Sequence, residues 1–178
     1  MINLDSFKID FLNSNDAKNL SEMMVSNSEK FKRYFPITLS KNTSTEASQK
    51  YIIDKQIKFE LKSEFTFAIK ENVSNQIAGI IIIKEINMET KKGEFAYFID
   101  FNYENKNLMS KGIAAISRYA FVNIGLEKLQ IIVHKDNIGS LKVAQKCNFI
   151  WQKTLLNKYT PPNELPLDME LYELSHEK

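Results

Sequence analysis

Apolar positions along the chain switch between two spacings. "FKIDFL" alternates apolar and polar residues, as a half-buried strand does. "SNDAKNLSEMMVSN" then places Leu20, Met23 and Met24 at helical spacing, with Asp16 or a neighbouring Asn as its cap. Pro36 disfavours helix at Phe35, so "RYFP" ends that element. "STEASQKYIIDKQIKFELK" predicts a second helix, with an apolar face running from Ala47, Tyr51 and Ile52 through Ile57 and Leu61. A threonine or serine ahead of Glu46 starts it.

Strand patterns follow. "EFTFAIK" alternates, and "QIAGIIIIKEI" is β-branched and almost continuously apolar, like a strand buried on both faces. "GEFAYFIDF" is a third strand. Beyond "NYENKNLMS" a helix is predicted, with Ile113, Ile116, Ala120 and Ile124 on one face and Gly125 as a left-handed stop. "KLQIIVH" reads as a strand and "KDNIGSLKVAQKCN" as a short helix with Leu141 and Ala144 inward. "FIWQKTLLNKY" and "LPLDMELYEL" close the chain as two strands around "TPPNE".

The predicted order is strand, two helices, three strands, helix, strand, helix, two strands. Short polar turns join the three middle strands, so they run antiparallel. "GEFAYFIDF" and "KLQIIVH" are joined through a whole helix, which suits a parallel pair with a right-handed crossover. The expected fold is α/β: a mixed, mostly antiparallel central sheet with one parallel central pair and flanking helices. No repeat, linker or composition shift divides the chain, so residues 1–178 are expected to form a single domain.

Composition changes this picture little. The chain has 178 residues, 43% hydrophobic and 26% charged, as in an ordinary globular protein. A formal net charge of +2 gives no reason to expect a nucleic-acid partner. The single cysteine, Cys147, precludes an intrachain disulfide and fits a reducing, cytoplasmic setting. No secretion signal opens the sequence, and its most apolar run, "IAGIIII", is too short to span a bilayer.

The chemistry concentrates at two helix starts. A first helical turn leaves backbone N–H groups unpaired at the positive end of the dipole. "SKGIA" puts Gly112 there, where a missing side chain lets a phosphate approach. Ser110 adds a hydroxyl, Lys111 a charge, and Ala114 and Ala115 stay small. This is neither the dinucleotide fingerprint, since two of its three glycines are missing, nor a P-loop, since the lysine precedes the glycine. At the second start, Asn137 and Ser140 stand three apart, and Asn137 doubles as a plain N-cap.

With these segments in view, the chain resembles the GNAT superfamily of acetyl-CoA-dependent N-acetyltransferases, and within it the ribosomal-protein-alanine N-acetyltransferase branch. The matching text is "AGIIII", "GEFAYFID", "NLMSKGIAAISRYAF" and "GLEKLQIIVHKDNIGSLKVAQKCNF", confined to residues 77 to 150. The family's pyrophosphate loop runs Q/R-x-x-G-x-G/A, and Met109, Gly112 and Ala114 occupy those places. The resemblance therefore implies that Met109, Ser110, Lys111, Gly112, Ile113 and Ala114 hold acetyl-CoA through their backbone, with Asn137 and Ser140 matching the downstream N-x-x-S. Met109 departs from the usual Gln or Arg. Asn148 stands where a Gly precedes Phe149, a mild change because Asn tolerates positive φ.

The resemblance also implies an oxyanion hole of backbone N–H groups at Phe98, Ile99 and Asp100. Glu94 is the favoured base for the amine, sharing a face with Ala96 and Phe98 by period-two alternation; an exposed strand-end carboxylate is the plainer reading. His134 is a second candidate base, or a solvated strand-end histidine. Ser140 is the implied proton donor or relay to the departing sulfur, with Tyr97 and Tyr103 as alternatives; Cys147 reads as packed and inert. "SEKFKRYFP" and "NKYTPPNE", the latter with Glu164, are expected to line the acceptor's approach. The expected activity is direct transfer of acetyl from acetyl-CoA to a primary amine, on a protein N-terminus or a small molecule such as a polyamine or antibiotic, by a monomer or homodimer without a metal. A non-catalytic acyl-CoA-binding module is the rival from outside enzymology.

Overall fold

Asn13 shows how the amino-terminal sequence sets its own turn. Its side chain accepts from the Asn15 amide, while Asp16 accepts from the Asn13 amide, a reciprocal cap that starts a short 3-10 turn at Ser14–Asp16. The computed structural model describes residues 1–176. Ahead of this turn lie β1 (Ile2–Leu4) and β2 (Phe7–Phe11). After it come α1 (Ala17–Ser26), α2 (Ser28–Phe31), α3 (Pro36–Ser40) and α4 (Thr45–Glu60). Strands β3 (Phe65–Glu71), β4 (Ile77–Asn87) and β5 (Lys92–Ile99) follow. A 3-10 turn at Phe101–Tyr103 leads to α5 (Leu108–Tyr119), which widens into a π turn at Ala120–Ile124. The chain ends with β6 (Lys128–Val133), α6 (Ile138–Lys146), β7 (Ile150–Tyr159) and β8 (Leu167–Ser175).

All eight strands belong to one sheet, ordered β1-β2-β3-β4-β5-β6-β8-β7. It is mostly antiparallel, and the expected parallel pair is β5 with β6, in register from Lys92/Lys128 to Phe95/Ile131. Every residue of β4 from Ile77 to Ile83 is buried, as its unbroken apolar run requires. Gly125 takes φ 85° at the end of the π turn, and Ser44 caps α4 through the Ala47 amide. Asn148 adopts φ 60° just after α6, the conformation a glycine would have supplied. Among the described residues, no helix is long and apolar enough to cross a membrane.

Several expectations need correction. The chain begins with a hairpin rather than one strand, and its first helical region is four helices rather than two. Phe35 is indeed non-helical, at φ −129°, and Pro36 then opens α3. The apolar face of α4 stops at Tyr51 and Ile52; Ile57 and Leu61 are 51% and 72% exposed. Ile124 is only half-buried, because the π turn inserts a residue and rotates it off the stripe of Ile113, Ile116 and Ala120.

The residues group into two compact units. One comprises Met1–Ile82 with Tyr97–Leu108, the other Ile83–Ala96 with Met109–Lys178. In the first, Leu20, Met24, Phe31, Ile52 and Ile69 are fully buried. A buried ion pair joins Lys70 of β3 to Asp16 at 2.7 Å, with both side chains 6% exposed. In the second, Gly93 is required by close packing. A Cβ there would meet Ile83 Cγ2 and Leu126 Cδ1, each at 2.9 Å.

Candidate active site

In the first unit, the end of β5 is held rigidly. Asp100 N–H donates to the Ala78 carbonyl of β4 at 2.9 Å. Its carboxylate caps the following turn, accepting from the Asn102 amide at 2.8 Å, and its other oxygen accepts from Asn27 Nδ2 at 2.8 Å. Asn27, 3% exposed between α1 and α2, returns the contact by accepting from the Phe101 amide at 2.9 Å. Lys30 Nζ donates to the Ile99 carbonyl at 2.7 Å and pairs with Glu104. Phe98 lies against Phe31 and Phe35, with ring centroids 4.9 and 4.8 Å away.

This arrangement separates the three expected oxyanion donors. The Asp100 amide is already committed to Ala78, so it is removed from that role. Amide directions alternate along a strand, which points Phe98 N–H to the same edge as Asp100 and Ile99 N–H to the opposite edge. Tyr103 is no ready proton donor. Burial raises its phenol's pKa, helped by the nearby Glu71 charge, and its ring packs edge-on against Phe7.

Helix α5 begins at Leu108, so Gly112, in the second unit, is its fifth residue rather than its mouth. The amides of Gly112, Ile113 and Ala114 therefore sit in helical geometry, each donating four residues back; helix geometry gives only the first-turn amides, Met109 and Ser110 among them, no acceptor within the helix. Met109 and Ile113 are 6% and 0% exposed and begin the buried stripe that continues through Ile116 and Ala120. Met109 thus occupies the place of a polar residue because its side chain is core. Lys111, Ala114 and Arg118 form the exposed stripe opposite.

Cys147 buttresses this helix start. Its thiol donates to the Ser110 carbonyl at 3.3 Å, and burial pushes its pKa up to about 11. A thiol in that state is a packing group, not a nucleophile. Asn137 acts as the N-cap of α6, accepting from the Ser140 amide at 3.1 Å, so the plain structural role is present whatever else the pair does. His134 is not the solvated histidine expected. It is 7% exposed, its Nδ1 accepts from the Asp136 amide at 3.3 Å, and its carbonyl accepts from the Asn137 amide. With Nδ1 accepting from the Asp136 amide, Nε2 is the ring nitrogen left to donate, a donor where a base was sought. Glu94 is partly covered, with its side chain 17% exposed and Lys84 Nζ 2.5 Å from its Oε1.

Sequence reasoning missed Asn27 and Lys84, and placed Lys30 only within the segment expected to line the acceptor's approach, not on the Ile99 carbonyl. Each lies far in sequence from the group it touches, except that Lys84 shares the β4–β5 hairpin with Glu94.

Comparison with known proteins places the chain. Residues 8–150 match the model of the acetyltransferase (GNAT) domain. A probable N-acetyltransferase of Bacillus subtilis (strain 168), YjcK, is 24% identical over 135 residues, 75% of each chain. The spermidine N(1)-acetyltransferase of Escherichia coli (strain K12) is 27% identical over 98 residues, 55% of this chain and 52% of that one. The crystal structure of a ribosomal-protein-S5-alanine acetyltransferase from Vibrio fischeri superposes with a TM-score of 0.90 at 15% identity, covering 99% of this chain and 97% of the other. The chain belongs to the GNAT acetyltransferase family and is an acetyl-CoA-dependent N-acetyltransferase.

Proposed function

We propose that this GNAT family member moves an acetyl group directly from acetyl-CoA to the primary amine of a protein N-terminus, in a ternary complex. The observation that carries the chemistry is the Asp100 amide's bond to Ala78, which leaves the neighbouring Ile99 amide directed the other way. Ile99 N–H polarises the thioester carbonyl and holds the oxyanion as the amine nitrogen bonds to the carbonyl carbon. Glu94 takes the amine's proton, directly or through water. The C–S bond then breaks, and Ser140 passes a proton to the sulfur, giving an acetamide and coenzyme A. First-turn amides of α5, with the Lys111 charge beside them, hold the pyrophosphate; Asn137 supports the same coenzyme at α6.

A terminal amine, with a pKa of roughly 7.7–8.0, is easier to deprotonate than a lysine near 10.4. The likeness to the ribosomal-protein acetyltransferase supports the same acceptor class at the level of fold. The spermidine relative favours a second reading, a small polyamine acceptor. The reaction components fit a cytoplasmic enzyme.

Thiol release from acetyl-CoA, measured against N-terminal peptides, spermidine and amino sugars, tests this directly. Peptides should turn over fastest; release with spermidine alone defeats the peptide assignment. Lys111→Glu should weaken coenzyme A by about tenfold, read as lost thermal stabilisation, because it puts a like charge near the phosphates. Unchanged stabilisation would move the pyrophosphate elsewhere.

A further inference from the structure

A cavity in the first unit lies apart from the end of β5. It opens where the end of β2, the start of β3 and the last turns of α4 meet, and its volume is about 210 Å³. Phe11, Leu12 and Phe59 supply apolar wall, Thr66 adds a side from β3, and Lys55 and Gln56 border it from α4. Strand β2 sets its distance from the candidate site. Phe7, at the start of β2, packs on the Tyr103 ring, whereas Phe11 stands at the other end of the strand, about 13 Å along it.

The wall is aromatic. The Phe11 and Phe59 rings meet edge to face with centroids 4.6 Å apart. Phe67 backs Phe11 at 4.8 Å, and Phe65 backs Phe59 at 5.3 Å. Phe59 is 38% exposed and lines the opening, where a further ring can continue the same packing. The space exceeds the roughly 150 Å³ that suffices for benzene in a dry apolar cavity.

The polar side is neutral as a whole. Lys55 Nζ pairs with Glu64 and lies 4.8 Å from the Tyr51 ring centre. Glu64 also accepts from Thr66 Oγ1 at 3.2 Å and faces Lys58 Nζ at 3.7 Å, and Lys58 pairs with Asp54 at 3.3 Å. Burial lowers the Lys55 pKa even with Glu64 beside it, so a full charge is costly at this place. A ligand carboxylate would have to compete with Glu64 for Lys55, and a ligand ammonium would meet Lys55 itself. A neutral oxygen escapes both penalties and can accept one of the three N–H groups of the ammonium.

We propose that this cavity is a second binding site, which takes a neutral single-ring aromatic molecule bearing a hydroxyl or carbonyl oxygen. The site is separate from the acetyl acceptor and does not rest on the acetyl-transfer reading.

Calorimetric titration of the full chain near pH 7 with p-cresol, benzoate, benzylamine and cyclohexanol tests it. These are a neutral aromatic, an anion, a cation and a neutral ring without aromatic character. p-Cresol should saturate one site with a Kd at or below about 1 mM. Benzoate and benzylamine should bind at least about tenfold more weakly, from the cost of burying a charge. Cyclohexanol should bind at least about threefold more weakly, the usual worth of an aromatic pair. Gln56→Trp, which sets a bulky ring over the opening from an exposed helical position, should weaken p-cresol by about tenfold, and so should Phe59→Ala, which removes a wall. Melting curves of the free variants show that they are folded, and Gln56→Trp decides alone if Phe59→Ala is not. No saturable p-cresol binding, a charged ring or cyclohexanol bound as tightly as p-cresol, or an affinity unchanged by the folded variants overturns the proposal.

Discussion

The two halves of β5 are built on opposite plans. Its start, Lys92 to Phe95, is a regular parallel partner of β6, packed so closely that Gly93 has no room for a side chain. Its end, Phe98 to Asp100, is held by side chains: two aromatic rings, a lysine on a carbonyl, and a carboxylate between two amides. Main-chain pairing uses up amides, whereas side-chain clamps can hold a strand end still while one amide stays directed elsewhere. A strand that must be both rigid and chemically open at its tip needs the second plan there. Glu94 on β5 and Asp100 just beyond its end each follow the plan of the nearer half. Glu94 faces one lysine on a neighbouring strand; Asp100 has both oxygens engaged by nitrogen donors.

If that contrast is functional, the two acids should respond oppositely to loss of charge. Glu94→Gln should lower turnover by about 10²–10⁴-fold, the usual worth of a general base, while melting temperature and coenzyme affinity barely move. Full activity in this variant would hand the base role to another group. The regular half is then tested by Gly93→Val. Its new atoms would press on Ile83 and Leu126, at a cost of roughly 1–3 kcal/mol in urea unfolding. A variant as stable as the parent would show that these side chains yield.

The clamped half is tested by Asp100→Asn. Both carboxylate oxygens accept, one from the Asn102 amide and one from Asn27 Nδ2. Asn27 cannot turn over to accommodate the change, because its oxygen accepts from Phe101 and its nitrogen donates to Met23 O at 2.9 Å. An asparagine at position 100 keeps only one accepting oxygen, so its NH2 must face a donor in either orientation, Asn27 Nδ2 or the Asn102 N–H, which costs about 1–2 kcal/mol. Turnover should fall with stability here, unlike in Glu94→Gln. Stability equal to wild type would mean that the clamp contributes nothing.

What could be read from the sequence follows the same division. The regular parts were open to local rules: the doubly buried run of β4, the left-handed Gly125 and Asn148, the Ser44 cap and the parallel β5–β6 pair all announce themselves within a few residues. The clamped parts were not. Nothing near Asp100 signals that Asn27, 73 residues away, will take its carboxylate. Met109 stood apart from the family's usual Gln or Arg until helical spacing joined it to Ile113 and Ile116, because Gly112 drew the eye as the helix mouth while α5 in fact starts at Leu108. His134 looked solvated because burial of a strand end depends on what covers it. Exposed Ile150, Trp151 and Leu156 on β7, the last strand of the sheet, make the same point in reverse: apolar spacing alone does not show which strand gets a covering layer.

The smallest expected effect separates packing from chemistry at α5. Cys147 is 7% exposed, and its thiol is raised from an ordinary 9.0 to about 11, chiefly by burial. A raised folded value means that the neutral thiol is the form the fold prefers. Its contribution is complete below the unfolded pKa and is lost as pH climbs through the interval from about 9 to about 11. Unfolding midpoints should therefore slope downward over that alkaline interval, and Cys147→Ala should flatten the slope. At neutral pH the same variant should lose only a modest amount of stability, from a small cavity and the weak Sγ–Ser110 bond. Iodoacetamide should label the native thiol slowly at pH 8, since so little thiolate is present. Rapid labelling there, or an alkaline slope identical in the alanine variant, would show that Cys147 is ionised or exposed near neutrality and would reopen the question of whether the start of α5 carries a nucleophile.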